Sequence, residues 1–505
     1  MTRSAPTSTR THRTQERPLR LYRADHDPRA AALTVLSRVM FARADSQAAI
    51  DDALRASSLV PTDKRLCTEL VYGVLRRYLS LELFAESFLR KPDKLPMEMR
   101  LALLISLYEM LCLRIPHYAS VGWAVAHVRN RFGQKMAGVA NGALRAMQRS
   151  LGEFPDPRRA VRPEASEERL SRLFAMPLWI VRLWLQSYGM QSTLALLDAA
   201  LNPPPAGLRL NRAHANWEQS KKEILQLYEP ARIRLAGQKA ATPTDMPAIP
   251  QPCNAAASPC LAAYLAQNEV SADETLFLAD TCTLAFSGTL PWRARMLLKE
   301  GKASRQSAAS CEALAAFAPD SWQLPIWDCC AGRGGKTLTL LEQGIAVAVA
   351  SDQSERRLRA LPEEYARLGL THPPCPTVMP VSVEQASVCL DGQMFGTILV
   401  DAPCSGLGTL SRRPEIRFRR THDDLETLTD TQKRILILAW RHVRAGGSLV
   451  YLTCTLNPAE NQLQIADFLA KHGNATLIGA FQTDFSSPLR EFFYGARIEK
   501  SLQEK

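Results

Sequence analysis

The chain has 505 residues, which is long enough for two or three domains, and its 46% hydrophobic and 22% charged residues are typical of a globular protein. No apolar run reaches the roughly eighteen residues of a membrane-spanning helix, so we expect no membrane association. The formal net charge of +12 favours a polyanionic partner. Twelve cysteines occur without a Cys-x-x-Cys pair, which argues against a zinc ribbon, and we expect no metal.

Residues 1–27 are rich in Arg, Ser and Thr and poor in apolar residues. This composition predicts a disordered basic tail, although an organelle transit peptide has a similar bias. An apolar core segment is absent from this stretch, so it is not a secretory signal. We therefore expect reduced thiols and a cytoplasmic protein. We also expect a monomer.

Residues 28–150 predict an all-α domain, because apolar residues recur on one helix face throughout. The pattern is clearest where Leu101, Leu104, Ile105 and Tyr108 share a face, and Pro116 ends that helix. Further helices are expected at residues 31–41, 47–54, 64–75 and 121–132.

Residues 151–310 predict a linker followed by a small α+β extension. Residues 151–166 are rich in Pro, Arg and Glu, as in an exposed linker, and residues 173–200 have a helical pattern. A polar turn at 202–211 then leads into a short strand. The proline-rich stretch 240–259 predicts a loop or insertion.

Residues 311–505 predict an α/β domain, because strands and helices alternate and so favour a parallel sheet flanked by helices. The expected strands are residues 324–329, 346–351, 377–381, 397–400 and 448–452.

Cys404 and Cys454 each follow one of these strands. Side chains at the carboxyl ends of parallel strands face one crevice, so the two thiols can meet over one substrate. The alternative is a pair of buried core cysteines. Asp401 and Ser405 flank the first cysteine and are poor core residues. After the second, residues 457–460 predict a helix start, with an N-cap at Asn457 and a capping box completed by Glu460.

A glycine-rich turn follows the first strand and predicts a nucleotide or adenosine site. A phosphate-binding P-loop is one alternative, but its first glycine would fall at position 330, which is cysteine. Asp352 ends the next strand, where an acid commonly bonds a ribose hydroxyl, although it can instead cap the next helix. The residues of the turn are Cys330, Ala331, Gly332, Arg333, Gly334, Gly335 and Lys336.

A basic segment after Cys404 predicts RNA contact, because its arginines can bind phosphates while the embedded Phe418 stacks on a base. A solvated charged face is the alternative. The arginines are Arg412, Arg413, Arg417, Arg419 and Arg420.

Together these motifs resemble the Sun-domain (Fmu-type) family of RNA cytosine-5 methyltransferases. Residues 69–77 also resemble a helix of the NusB family of RNA-binding domains, with a plain helical scaffold as the alternative. The resemblance implies a NusB-like RNA-binding domain, a small α+β RNA-binding extension and a Rossmann-like methyltransferase domain that acts on ribosomal RNA. The motifs that carry the resemblance are residues 330–337, 401–406, 412–414, 453–455, 458–461 and 491–497.

The resemblance also implies roles for individual residues. Cys454 would attack carbon 6 of cytosine, Cys404 would assist release, and S-adenosyl-L-methionine would supply the methyl group. Asp401 and Lys336 would hold the base. The cofactor would contact residues 330–336, Asp352, Ser382 and Asp401.

This chain departs from the family pattern at three places, two in the predicted catalytic domain and one just before it. Arg333 replaces a proline, Ser382 replaces an acid, and residues 305–310 lack an Asp-Glu pair. The alternative function is therefore an RNA-binding ribosome assembly factor of the same fold that transfers no methyl group.

Overall fold

The structure is a computed structural model, and it describes residues 26–157, 165–228, 232–234, 275–278 and 281–502. Most of the predicted basic tail and all of the proline-rich stretch 240–259 lie outside the described residues. Within the described ranges, every helix is too short or too polar to span a bilayer.

The amino-terminal part is all-helical, as predicted, and its helices share one apolar core. The third helix continues past its predicted end at residue 75, because Tyr78, Leu81 and Ala85 extend its buried face. The helices are α1 (Pro28–Phe41), α2 (Ser46–Arg55), α3 (Pro61–Glu86), α4 (Met97–Cys112), α5 (His117–Phe132) and α6 (Gln134–Arg149).

The extension contains helices and a five-stranded sheet, as the α+β prediction requires. Its strand order is β2-β3-β4-β1-β5, and all its neighbouring strands are antiparallel except β2 and β3. The strands are β1 (Ala206–Leu210), β2 (Arg232–Arg234), β3 (Thr275–Leu278), β4 (Thr283–Phe286) and β5 (Ala303–Arg305). The helices are α7 (Glu167–Leu173), α8 (Leu178–Leu201), α9 (Trp217–Leu227) and α10 (Trp292–Lys299).

The carboxyl-terminal part is a seven-stranded sheet with helices on its faces, which confirms the Rossmann-like prediction. The strand order is β11-β12-β10-β9-β6-β7-β8. Strand β12 is antiparallel to both of its neighbours, β11 and β10, and the other neighbouring strands pair in parallel. The strands are β6 (Ile326–Asp328), β7 (Val349–Ser351), β8 (Thr377–Met379), β9 (Phe395–Asp401), β10 (Val443–Thr453), β11 (Ala475–Gln482) and β12 (Tyr494–Lys500).

Helices connect these strands and cover the sheet. The predicted boundary between residues 310 and 311 falls inside the first of them, and all the predicted domain boundaries stay predictions. The helices are α11 (Ala308–Ala315), α12 (Gly335–Glu342), α13 (Glu355–Leu358), α14 (Ala360–Arg367), α15 (Val383–Cys389), α16 (Ile416–Arg419), α17 (His422–Arg441) and α18 (Gln462–Lys471).

The register of the central strands places the predicted site at one edge of the sheet. Parallel pairing sets Asp401 of β9 beside Leu452 of β10, and Asp328 of β6 beside Leu399 of β9. The carboxyl ends of β6, β9 and β10 therefore lie together, and the chain leaves all three towards the same crevice.

A buried ion pair fastens the extension to the catalytic domain. Arg209 of β1 donates from Nε and Nη2 to the carboxylate of Glu342 at 2.8 and 2.6 Å, and from Nη1 to Thr339 Oγ1 at 2.7 Å. Both acceptors lie on α12, the helix that also carries Lys336. Because a buried charge that loses its partner is costly, this contact fixes α12 against the extension sheet.

Candidate active site

The structure brings the two predicted thiols together. The Sγ atoms of Cys404 and Cys454 are 3.4 Å apart, and the backbone N–H of Cys454 points to Cys404 Sγ at 3.4 Å. Both side chains are only partly buried, unlike a pair of core cysteines. They face one another across the turns that follow β9 and β10.

The two thiols differ in ionisation because one donates a hydrogen bond to the other. Cys404 and Cys454 share a hydrogen bond, and this bond lowers the pKa of Cys454 although burial and the Asp401 charge oppose the effect. Arg413 and Lys336 also favour the Cys454 thiolate. The same bond, together with burial, raises the pKa of Cys404. Cys454 is therefore the more readily ionised thiol of the pair.

Lys336 and Asp401 form the second part of the site. Lys336 Nζ donates to Asp401 Oδ2 at 2.6 Å, and the lysine side chain is nearly buried while the aspartate is about one-third exposed. Burial lowers the pKa of Lys336, but Asp401 more than offsets it, so the pKa is raised and the ammonium is kept. The pair leaves one aspartate oxygen for a ligand.

Glu460 ties the two cysteine turns together, and it was missed at the sequence level. The capping-box prediction was wrong: residues 458–460 form only a short 3₁₀ turn, capped by Asn457, and the Glu460 carboxylate turns inward and is completely buried. Its donors come from three separate parts of the chain. They are the N–H and hydroxyl of Ser405 (2.7 and 2.6 Å), Thr455 Oγ1 (3.3 Å), Asn457 Nδ2 (3.1 Å) and Gln432 Nε2 (3.0 Å).

Asn461 fixes the strand end that carries Cys454. Its side chain accepts a hydrogen bond from Thr453 Oγ1 at 2.6 Å and donates to the carbonyl of Thr455 at 3.0 Å. On the other side, Gly408 packs so closely that a Cβ there would lie 2.9 Å from the Cys454 carbonyl oxygen. Cys454 is thus held by its backbone on both sides, which leaves only its side chain to move.

The glycine turn at the end of β6 has the shape of a ligand cradle. Gly332 has φ +58° with open space where a Cβ would point, whereas Gly334 has φ +81° and approaches Leu361 too closely for a Cβ. The N–H of Gly332 donates to Asp352 Oδ2 at 2.9 Å, and the N–H of Ser354 donates to Oδ1 at 2.8 Å. Asp352 therefore joins the cradle and also supports its own turn.

Two of the three departures from the family pattern are Arg333 and Ser382. Arg333 is exposed at the tip of the turn. Ser382 begins α15 and forms a capping box with Gln385, so its side chain already has a structural partner. Its predicted contact with the cofactor stays a prediction.

The five arginines predicted to bind RNA have different environments. The prediction is wrong for Arg417, which is only 2% exposed and donates to backbone carbonyls in the interior. Arg412 makes a two-bond contact with Glu491 at 2.7 and 2.6 Å, and Arg420 donates to the carbonyls of Ser405 and Cys404. Arg413 is exposed beside Cys454, and the side chains of Arg412 and Arg419 are partly open to solvent, with Arg419 lying 3.9 Å from Asp45.

Comparisons with known proteins match this architecture. Residues 314–490 fit the family model described as 16S rRNA methyltransferase RsmB/F, and residues 26–149 fit the NusB family. The chain is 31% identical to ribosomal RNA small subunit methyltransferase B of Vibrio cholerae, over 92% of this chain and 94% of that protein. It belongs to the RsmB/F family.

Other relatives agree. The protein of the same name from Vibrio vulnificus is 29% identical over 90% of this chain and 93% of its own length. The crystal structure of a protein called PH0851 is similar in fold, with a TM-score of 0.66 and 19% identity over 94% of this chain and 99% of that chain.

Membership in the RsmB/F family makes the protein an RNA methyltransferase that uses S-adenosylmethionine as methyl donor. The residues present fit this cofactor: the Gly332 turn is open, the N-terminus of α12 offers backbone N–H groups, and Asp352 can accept from ribose hydroxyls. With Cys330 in place of the first P-loop glycine, the P-loop alternative loses its support.

Proposed function

We propose that the protein methylates carbon 5 of a cytosine in small-subunit ribosomal RNA through a covalent bond between Cys454 and the base. The observation that carries the proposal is the pair of Sγ atoms at 3.4 Å beside the Lys336–Asp401 ion pair. Carbon 5 of cytosine is a weak nucleophile, and a thiolate that adds to carbon 6 activates it. We expect a monomer that acts in the cytoplasm.

Cys454 is the nucleophile in this proposal, because its lowered pKa makes it the more readily ionised thiol of the pair. The free oxygen of Asp401 would accept from the exocyclic amine of cytosine, which uracil lacks, while Lys336 holds the other oxygen. A stacked base cannot reach the two turns, so the cytosine must leave its stack first.

Cys404 serves the second half of the reaction. S-adenosylmethionine supplies the methyl group to carbon 5, and the proton on that carbon must then leave. Once Cys454 is bonded to carbon 6, Cys404 releases its own proton to solvent, and its thiolate then takes the proton from carbon 5. The raised pKa of Cys404 makes this thiolate the stronger base of the pair. The electron pair that remains re-forms the ring double bond and expels Cys454 from carbon 6.

RNA binding would use the exposed side of the basic segment. Arg413 lies beside Cys454 and is open to a phosphate of the substrate, and Arg419 is partly open. Arg412 keeps part of its guanidinium exposed while Glu491 fixes its orientation.

The product of the reaction tests the proposal. Purified protein with S-adenosylmethionine and an unmethylated small-subunit RNA transcript should produce 5-methylcytidine, identified by mass spectrometry of the digested RNA. The Cys454→Ala variant should produce none. A methyl group on another atom or base would contradict the cytosine-5 assignment, and RNA binding without methyl transfer would favour the assembly-factor alternative.

A further inference from the structure

Two buried arginines join the NusB-like helices to the catalytic domain. Arg417 of α16 is 2% exposed, and its Nη1 donates to the carbonyls of Arg76 and Ala175, both at 2.8 Å. Its Nη2 donates to the carbonyl of Ala200 at 3.1 Å. One guanidinium therefore connects α3, the segment between α7 and α8, and the end of α8 to the catalytic domain.

Arg76 returns the contact from α3. Its Nε and Nη2 both donate to the carbonyl of Ser411 at 3.1 Å, and the side chain is buried. Ring contact between Tyr78 and Phe418, with centroids 5.3 Å apart, adds an apolar part to the same junction. We call Arg76 and Arg417 with these partners the arginine junction.

Burying two cations next to each other is unfavourable and therefore calls for a physical reason. Burial and the charge of Arg76 lower the pKa of Arg417 to about 9, with only the buried Glu415 acting in the opposite direction. A surface that binds RNA would gain nothing from hiding these charges. Their guanidinium N–H groups instead donate to four backbone carbonyls. The planar fork of arginine suits this arrangement of acceptors, and the ammonium group of lysine does not.

The segment held by the arginine junction also supports the Cys404 turn. Arg420 directly follows α16 and donates to the carbonyls of Ser405 at 3.2 Å and Cys404 at 3.4 Å. Ile416 at the other end of α16 packs against Gly406, where a Cβ would lie 2.8 Å from its Cδ1 atom. Thus α16 is attached at one side to α3 and at the other to the turn that presents Cys404.

We propose that Arg417 is a positioning residue for Cys404, with helix α3 of the NusB-like domain as its anchor. The proposal rests on the release role of Cys404 given above. In this arrangement the amino-terminal domain contributes to catalysis indirectly. Its helix α3 fixes the position of α16, and α16 supports the turn that carries Cys404.

The Arg417→Lys variant tests the proposal, since it keeps the charge and loses the fork. We expect turnover to fall by about tenfold or more, because a small misplacement of a reacting group is costly. Affinity for S-adenosylmethionine should stay within about twofold, because the cofactor cradle is not attached to the junction. The distinguishing result is a protein–RNA adduct that survives a denaturing gel, as release by Cys404 is impaired.

Two further variants complete the experiment. Arg76→Lys loses the bonds to the Ser411 carbonyl and should give the same adduct. If Arg417→Lys does not fold, the Arg76→Lys variant alone tests the positioning role. Arg77→Lys is the matched control on α3 and should behave as wild type. Thermal unfolding midpoints confirm that each variant is folded.

The Cys404→Ala variant, run in parallel, separates the two proposals. Folded Arg417→Lys and Arg76→Lys proteins without adduct, beside a Cys404→Ala variant with adduct, would overturn the positioning role alone. Absence of adduct in Cys404→Ala itself would contradict the proposed release step instead.

Discussion

At the scale of single residues, the hydrogen bond between the two thiols gives them different pKa values. The hydrogen bond with Cys404 lowers the pKa of Cys454 although the site is partly buried. An isolated thiol in such surroundings would have a raised pKa, as the buried Cys67 shows with a pKa of about 12.

The first prediction concerns the pH dependence of Cys454. Its pKa lies below the ordinary thiol value, so its alkylation by iodoacetamide should reach half-maximal rate at a pH below that value. In Cys404→Ala the donor is lost, and the half-maximal pH should move upward. Peptide mass spectrometry follows Cys454 specifically, with the exposed Cys389 as reference in the same digest. An unchanged or lower half-maximal pH would show that Cys404 does not lower the pKa of Cys454.

The second prediction concerns Asp352, which supports the cofactor turn through Gly332 and Ser354. Asp352→Ala should weaken S-adenosylmethionine binding by about tenfold or more, because both N–H groups and the ribose hydroxyls lose their acceptor. Calorimetry gives the affinity, and Asp391→Ala is the control at an exposed position. Equal affinity in the two variants would remove Asp352 from the cofactor site.

Residue types in local motifs could be predicted from the sequence, whereas long-range partners could not. Cys404, Cys454 and Lys336 stand in recognisable motifs, and the structure brings them together. Arg417 looked like its neighbours in a basic segment, and nothing local shows that carbonyls from distant helices would enclose it. Glu460 matched a capping box because that pattern ignores a buried hydroxyl from a distant turn.

At the scale of secondary-structure elements, the site depends on two adjacent strand ends that are held in register. The parallel pairing of β9 and β10 fixes their starting points, and Glu460 then ties the turns that follow them. Period and length predicted β6 to β10 but not β11 and β12. They could not predict that β10 begins at Val443, because a bulge between residues 443 and 448 extends its pairing.

The third prediction is that Glu460→Gln loosens this tie. An amide keeps one acceptor oxygen but presents N–H groups towards Ser405, so buried donors lose their partners. The unfolding free energy should fall by about 1–3 kcal/mol, measured by urea denaturation, and methylation should slow. Glu426→Gln on the exposed side of α17 is the control. Stability and rate equal to those of the control would show that the buried carboxylate does not organise the turns.

At the scale of the whole molecule, the fold brings three parts of the chain to one crevice. Arg209 attaches the extension to α12, which carries Lys336, and Arg417 attaches α3 to the segment behind Cys404. The fold class of each part was predictable from periodicity and motifs. The way these parts dock against one another was not predictable, because buried arginine contacts join residues that are hundreds of positions apart.

The fourth prediction concerns the net charge of +12. The logarithm of the RNA association constant should fall linearly with the logarithm of the salt concentration, because phosphate contacts release counterions. Arg413→Ala should reduce the magnitude of the slope by about 0.7–0.9, the value for one phosphate contact. Arg444, at the far end of β10 from Cys454, provides the control variant. Equal slopes for the Arg413 and Arg444 variants would place the RNA elsewhere.

The fifth prediction separates the roles of the two thiols on a denaturing gel with labelled small-subunit RNA and S-adenosylmethionine. Cys404→Ala should retain the RNA as a covalent adduct, because Cys454 can still attack while release is slow. Cys454→Ala should retain none, and neither should the double variant. An adduct in Cys454→Ala but not in Cys404→Ala would mean that the roles are reversed. No adduct in either variant, with methylation unchanged in both, would contradict the two-cysteine mechanism.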